Sequence, residues 1–244
     1  MKIPLFVGVA LWAAGAGSVA NAIEPNIPTY SWSGCYLGLE AGGGWGNSQF
    51  YYEYQAHPQS VGLAETNGVK TSGGLFGGTA GCSYQVSVVV LGLENDIAWT
   101  NASGQASGKS VNTSSSTFQT KETWFDTLRG RLGVAWDRWQ FYGTGGAAFG
   151  DEGKVVCTPV SGCGSASKGV TGWTVGAGAE YAFWGGWSVK VEYLHIDFGR
   201  QSFDSTPANP GWRIVPQDVT LRNDLVRVGV NYKFDVFSAF ANGN

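Results

Sequence analysis

Along most of this chain, apolar and other residues alternate one for one. In Trp173–Phe183 the odd positions are Trp173, Val175, Ala177, Ala179, Tyr181 and Phe183, and the even ones are Thr174, Gly176, Gly178, Glu180 and Ala182. In Val226–Phe234 one face carries Val226, Val228, Val230, Tyr232 and Phe234, the other Arg227, Gly229, Asn231 and Lys233. A period of two puts alternate side chains on opposite faces of a β-strand. Eight such segments recur: Gly34–Trp45, Gly74–Tyr84, Val88–Trp99, Trp124–Trp136, Trp139–Gly150, Gly172–Phe183, Trp187–Phe198 and Asp224–Phe234. Each is close to the ~9–11 residues that a tilted membrane strand needs. The connectors after the first, third, fifth and seventh segments are long and rich in Ser, Gly, Asn and Thr. Those after the second, fourth and sixth are minimal: Gln85–Ser87, Asp137-Arg138 and Trp184–Gly186. The pattern predicts an all-β fold, an eight-stranded antiparallel up-and-down transmembrane β-barrel with long loops at one end.

A water-soluble eight-stranded barrel also alternates, but it turns its apolar face inward and covers its outside with polar side chains. Here the non-apolar face is mostly glycine with a few charges, which suits an interior with room only for side chains. Tryptophan agrees. Trp45, Trp99, Trp124 and Trp173 fall at the long-loop ends, and Trp136, Trp139, Trp184 and Trp187 at the short-turn ends. Two such rings are what a bilayer's interfaces favour.

The stretch WFDTLRGRLGVAW, Trp124 to Trp136, tests this orientation. Leu128, Leu132, Val134 and Trp136 share one phase and Arg129 and Arg131 the other. On the lipid face each arginine would cost ~2–4 kcal/mol near the midplane, so both are expected to face inward. The same phase places Glu40, Glu94, Asp96, Glu180, Glu192, Lys190, Arg227 and Lys233 inside. Five acids then meet five bases, and a lumen ion-pair network is expected in place of an open water column. Arginine suits that role because its planar fork bonds carboxylates in pairs.

Charge adds an exclusion. The net charge is −3, with charged residues at 14%, so no basic surface points to nucleic acid. Residues 1–22, MKIPLFVGVALWAAGAGSVANA, read as a signal peptide ending in an A-x-A site. A short N-terminal extension 23–32, a barrel 33–234 and a C-terminal periplasmic tail 235–244 are expected to follow. No later run approaches the ~18 apolar residues of a membrane helix. Export allows disulfides, and Cys157 and Cys163 flank a short polar segment that a bridge closes easily. A zinc site is not expected, since no C-x-x-C spacing occurs and His57 and His195 lie far from the cysteines in sequence.

WSGCYLGLEAGGGWG, GGTAGCSYQ, VLGLENDIAW, TLRGRLGVAWDRWQFYGTGGAAFG, GWTVGAGAEYAFWGGWSVKVEYLHIDFG and VRVGVNYKF together resemble the outer-membrane β-barrel family of alphaproteobacteria. That family is similar to the OmpA-like transmembrane domain and includes surface antigens and haemin-binding outer-membrane proteins. The resemblance covers about residues 32–234. It implies an eight-stranded barrel in the outer membrane, inserted by the outer-membrane assembly machinery, with no enzymatic role. In such families the last strand ends the chain on an aromatic residue. Phe234 fits that place, although DVFSAFANGN follows it. In this frame Cys35 and Cys82 lie at the short-turn end of adjacent strands in the same facing phase, so a cross-strand disulfide is geometrically open to them.

Competing chemistry is weak. His195, Asp197 and Ser202 are near one another in sequence, but nothing makes them converge as a Ser–His–acid set, and no G-x-S-x-G elbow exists. Gly143-Thr-Gly145-Gly146 lies inside a strand pattern with no helix after it, which removes the phosphate-loop reading. FYYEYQAH, Phe50 to His57, could offer Tyr51, Tyr52, Tyr54 and His57 to a haemin; an aromatic collar where the strand leaves the bilayer is the simpler reading. No cofactor is therefore expected. The expected role is an integral outer-membrane surface and structural protein, embedded in outer-membrane lipid, with loops available to host or environmental ligands. A narrow porin or haemin-binding receptor is the alternative.

Overall fold

The computed structural model describes residues 30–55, 61–65, 68–109, 115–158, 162–204 and 216–234. The expected leader, the start of the extension up to residue 29, and the tail 235–244 lie outside them. In chain order the strands are β1 Gly34–Gln55, β2 Val61–Glu65, β3 Val69–Val86, β4 Val89–Thr100 and β5 Ser103–Lys109. Then come β6 Ser115–Trp136, β7 Trp139–Thr158, β8 Gly162–Trp184, β9 Trp187–Asp204 and β10 Pro216–Phe234. The order β1-β10-β9-β8-β7-β6-β4-β3, with β3 paired back to β1, closes a ring of eight antiparallel strands. β2 pairs with the far part of β1 and β5 with the far part of β6. These two short strands thus prolong the positions that β3 and β4 occupy lower down.

The tight turns sit at one end. Ser87, Asp137 and Gly185 open them with φ of 57°, 53° and 53°, the left-handed region that turns use. At the other end the strands run far beyond the expected span. β6, β7 and β8 are 22, 20 and 23 residues long, and β6–β7 pairing continues from Trp136↔Trp139 to Thr117↔Cys157. Much of what reads as loop in the sequence is therefore strand. Past Trp124 the outer face no longer meets lipid, so Ser, Thr and Lys replace its apolar side chains and the alternation fades, while backbone pairing goes on.

Orientation follows from adjacent residues. Leu132 is 59% exposed and Arg131 only 3%. Leu37, Leu39, Leu93, Leu128, Val191 and Val228 are likewise exposed on the outside. From Trp136 to Trp124 a strand rising ~3.3 Å per residue at a tilt of ~40° climbs roughly 30 Å, the thickness of a bilayer's hydrocarbon core. Both cysteine pairs are bridged, Cys35–Cys82 across β1–β3 and Cys157–Cys163 across β7–β8.

Candidate functional site in the filled lumen

The interior is stacked in tiers. At the short-turn mouth, Trp32 packs on Val90, Ala135 and Ala182, with Tyr30 against it. The Trp32 amide donates to Gln85 Oε1 at 2.7 Å, and the Gln85 amide to Ser33 Oγ at 3.0 Å. Residues placed in the extension by sequence thus close the barrel's lower end. Farther up, beyond the charged tier, Leu75, Ala98, Phe125, Ala148, Leu194, Ile196, Phe198 and Leu225 form an apolar layer.

Between these layers lies the charged tier. Arg129 reaches Glu94 and Asp96 at 2.5 Å each and Glu192 at 3.1 Å. Arg131 contacts Glu94 and Glu180, both at 2.8 Å. Lys190 lies 3.3 Å from Glu40, 3.4 Å from Glu94 and 3.7 Å from Asp96. Arg227 pairs with Glu40, with Asp96 at 3.0 Å and with Glu192 at 2.5 Å. Nine of the ten residues expected to line the lumen therefore meet in one cluster, each 4% exposed or less.

Lys233 is the exception, and the expectation needs correcting there. It has the inward phase but sits at the short-turn mouth, where Nζ donates to the Ser31 carbonyl and lies 4.3 Å from the centre of the Tyr30 ring. It is only two residues past Asn231, but that step carries it out of the tier. Five acids then face four bases. Neutral donors make up the difference. Tyr36 donates to Glu94 at 2.6 Å and Tyr142 to Glu192 at 3.0 Å. Ser188 and Asn231 donate to Glu180 at 2.6 and 2.8 Å, and Thr127 to Asp96 at 3.0 Å. Sequence reasoning missed these donors and the apolar layer. The signal was present: Tyr36 alternates against Leu37 and Leu39, and Leu194, Ile196 and Phe198 occupy the phase of Lys190 and Glu192.

Glycines make room for the long side chains. A Cβ on Gly42 would stand 2.2 Å from the Val226 carbonyl oxygen and 2.7 Å from Arg227 Cα. Such a tier holds charges in fixed pairs; its carboxylates already face cations, which leaves little claim on a metal ion.

Above the Trp124 level a second polar group faces inward. Glu122 stands opposite Glu152 across β6–β7. Asn223 Nδ2 donates to Glu122 Oε1 at 2.5 Å, and Lys154 lies 3.9 Å from Glu152. Burial pushes Glu122 up to about 7, against the pull of the Asn223 hydrogen bond. It pushes Glu152 up to about 8, with Lys154 opposing and Glu122 adding. Burial also draws Lys154 down to about 8, against the attraction of Glu152.

The remaining candidates do not form a site. His195 Nδ1 is 2.9 Å from Asp224 Oδ1, which also accepts from the Tyr193 hydroxyl at 2.5 Å, and the His195 ring lies 5.6 Å from that of Trp173. Asp197 instead pairs with Arg222 at 3.0 Å. His195, Asp197 and Ser202 are therefore not brought together. His57 and the side chains of Tyr51, Tyr52 and Tyr54 lie outside the described residues.

Comparison with known proteins agrees with this architecture. The outer membrane protein β-barrel domain profile matches residues 9–234. The chain is 31% identical to the 31 kDa outer-membrane immunogenic protein of Brucella melitensis, over 96% of its own length and 100% of the relative's. It is 29% identical to the 25 kDa outer-membrane immunogenic protein of Brucella abortus, over 85% and 81% of the two chains. Among solved structures it is similar to the outer membrane protease OmpT of Escherichia coli, with a TM-score of 0.53 at 10% identity over 86% of this chain and 100% of that one. At that identity the likeness concerns the fold alone.

Proposed function

Since this chain belongs to the outer membrane protein β-barrel domain family and resides in the outer membrane, we propose that it acts there as a sealed surface protein that braces the envelope and presents its long hairpins outward. One observation carries the reading. The lumen is filled by a charged tier between two apolar ones, with Arg129, Lys190 and Arg227 at 1% exposure or less. Water and solutes have no continuous path past such a tier, which weighs against a narrow porin. Mutually bonded side chains from β1, β4, β6, β8, β9 and β10 stiffen the cylinder from within, as an envelope-bracing element requires.

The tall hairpins β5–β6 and β7–β8 carry the surface role. They continue on the order of 20 Å past the Trp124 level, and Cys157–Cys163 ties the second one near its tip. Outer-membrane barrels turn their long connections outward, and the Brucella relatives are named as immunogenic. Host or environmental ligands would meet these hairpins first, and the assembly machinery would insert the closed barrel. The purified barrel in planar lipid bilayers should give no steady channel openings. Stable unitary currents from the folded form would overturn the sealed reading.

A further inference from the structure

Asn95 and Asp126 occupy the outer face of β4 and β6, inside the apolar belt. Asn95 Nδ2 donates to Asp126 Oδ1 at 2.9 Å and to the Thr127 carbonyl at 3.1 Å. Exposed apolar residues surround them: Ile97 and Phe149 pair with Asp126, and Leu128 with Asn95. Asp126 lies two residues inside Trp124, roughly 5 Å below the aromatic ring at ~3.3 Å per residue and a ~40° tilt. A carboxylate at that depth is costly unless something donates to it. Asp126 Oδ2 receives no hydrogen bond from the described residues.

Farther down the same face, past the exposed Leu128, runs a groove of about 700 Å³, walled by Leu91 and Leu132 and floored by Gly130, Gly143 and Gly145. These three glycines face outward. A Cβ on any of them would meet nothing closer than 3.5 Å, so the barrel's own packing does not demand glycine there. Glycine inside a strand is otherwise unfavourable. From Asp126 to Leu132 the face descends roughly 15 Å, half of a ~30 Å hydrocarbon core. An acceptor near the headgroups thus stands above Leu128 and, roughly 10 Å down the same face, an apolar groove at a depth that an acyl chain reaches.

We propose that the Asn95–Asp126 pair and the groove beneath it bind one lipid of the long-loop leaflet, through an acyl chain that bears a hydroxyl near its head. The hydroxyl donates to Asp126, which as a carboxylate can only accept, and the tail lies over Gly130, Gly143 and Gly145. The inference takes the transmembrane placement as given.

The test uses the full barrel in phosphatidylcholine vesicles. A trace of phosphatidylcholine carries a 3-hydroxyl and a terminal diazirine on one acyl chain, and a matched probe lacks the hydroxyl. After illumination, the hydroxylated probe should label residues 130–134 and 141–145 several-fold more than its match. Asp126→Leu should equalise the two probes. Gly145→Leu should reduce labelling by both at that face, with folding verified by heat-shifted gel mobility. Equal labelling by both probes in the wild type, even labelling around the belt, or cross-links joining two copies of the chain would each overturn the site. Failure to label any belt position would instead remove the transmembrane placement beneath it.

Discussion

The Arg131 guanidinium lies 3.7 Å from the centre of the Tyr142 ring while its two terminal nitrogens reach Glu94 and Glu180 at 2.8 Å each. One side chain from β6 is thereby fixed to carboxylates on β4 and β8 and to an aromatic face on β7. Arg131→Leu removes the guanidinium that contacts Glu180 and leaves Glu94 with one cation fewer. Stranding a buried partner typically costs about 3–5 kcal/mol. Urea unfolding of the detergent-solubilised barrel, followed by tryptophan fluorescence, should register a loss of that size. Arg131→Lys should recover only part of it, because a point charge cannot span both carboxylates or stack on the ring. Wild-type unfolding in the leucine variant would show that the tier does not hold the barrel.

Gly42 makes the opposite kind of demand. Its missing side chain is what lets β1 approach Arg227 on β10. Gly42→Ala drives a methyl group into the neighbouring backbone at 2.2 Å, and backbone cannot swing aside. The compact band on unheated gels should be lost or greatly reduced. Gly43→Ala, one residue on and facing outward with its nearest neighbour at 3.6 Å, should keep that band.

The carboxyls beyond the membrane predict a pH response. Glu122 and Glu152 titrate near 7 and 8 in the fold, above an ordinary value of 4.5. Between those values the folded barrel holds protons that the unfolded chain releases, so their contribution to stability is present at low pH and lost as pH rises through about 7 to 8. Lys154, lowered to about 8 from 10.5, acts above that range, where rising pH restores stability. Amide exchange in the far parts of β6 and β7 should slow when pH falls from 8 to 5, after correction for intrinsic rates. Glu152→Gln should flatten that response.

Trp32 closes the short-turn mouth but does not seal the lumen alone. Trp32→Ala should cost about 3 kcal/mol, as truncation of a packed tryptophan does, seen as a lower urea midpoint. Bilayer recordings of the variant should stay silent, since the charged tier and the upper apolar layer remain. Steady currents from this variant would make Trp32 the gate.

The ring, its strand directions and the inward phase were legible because lipid outside and crowding inside write a strict two-residue alternation. Arg129 and Arg131 between Leu128 and Leu132 are the plainest case. The extra height of β6–β8 was hidden because, once both faces are polar, paired strands and loops have similar compositions. Lys233 shows a second limit. Phase assigns a side but not a depth, and depth decides whether a lysine joins the tier or hangs at its mouth. Phe125 and Ile196 were obscured for a related reason: an apolar residue on the inner face looks like noise in the alternation until a whole layer of them is seen to meet.

Arg227 has a consequence for how the ring closes. It arrives on the final strand, yet it contacts Glu40 on the first, Asp96 on β4 and Glu192 on β9. A cylinder lacking that strand would hold carboxylates whose shared counter-ion has not yet come. A ring that lacks β10 is therefore penalised inside oil, and pairing of β10 with β1 and β9 closes the cylinder and discharges the imbalance in one step.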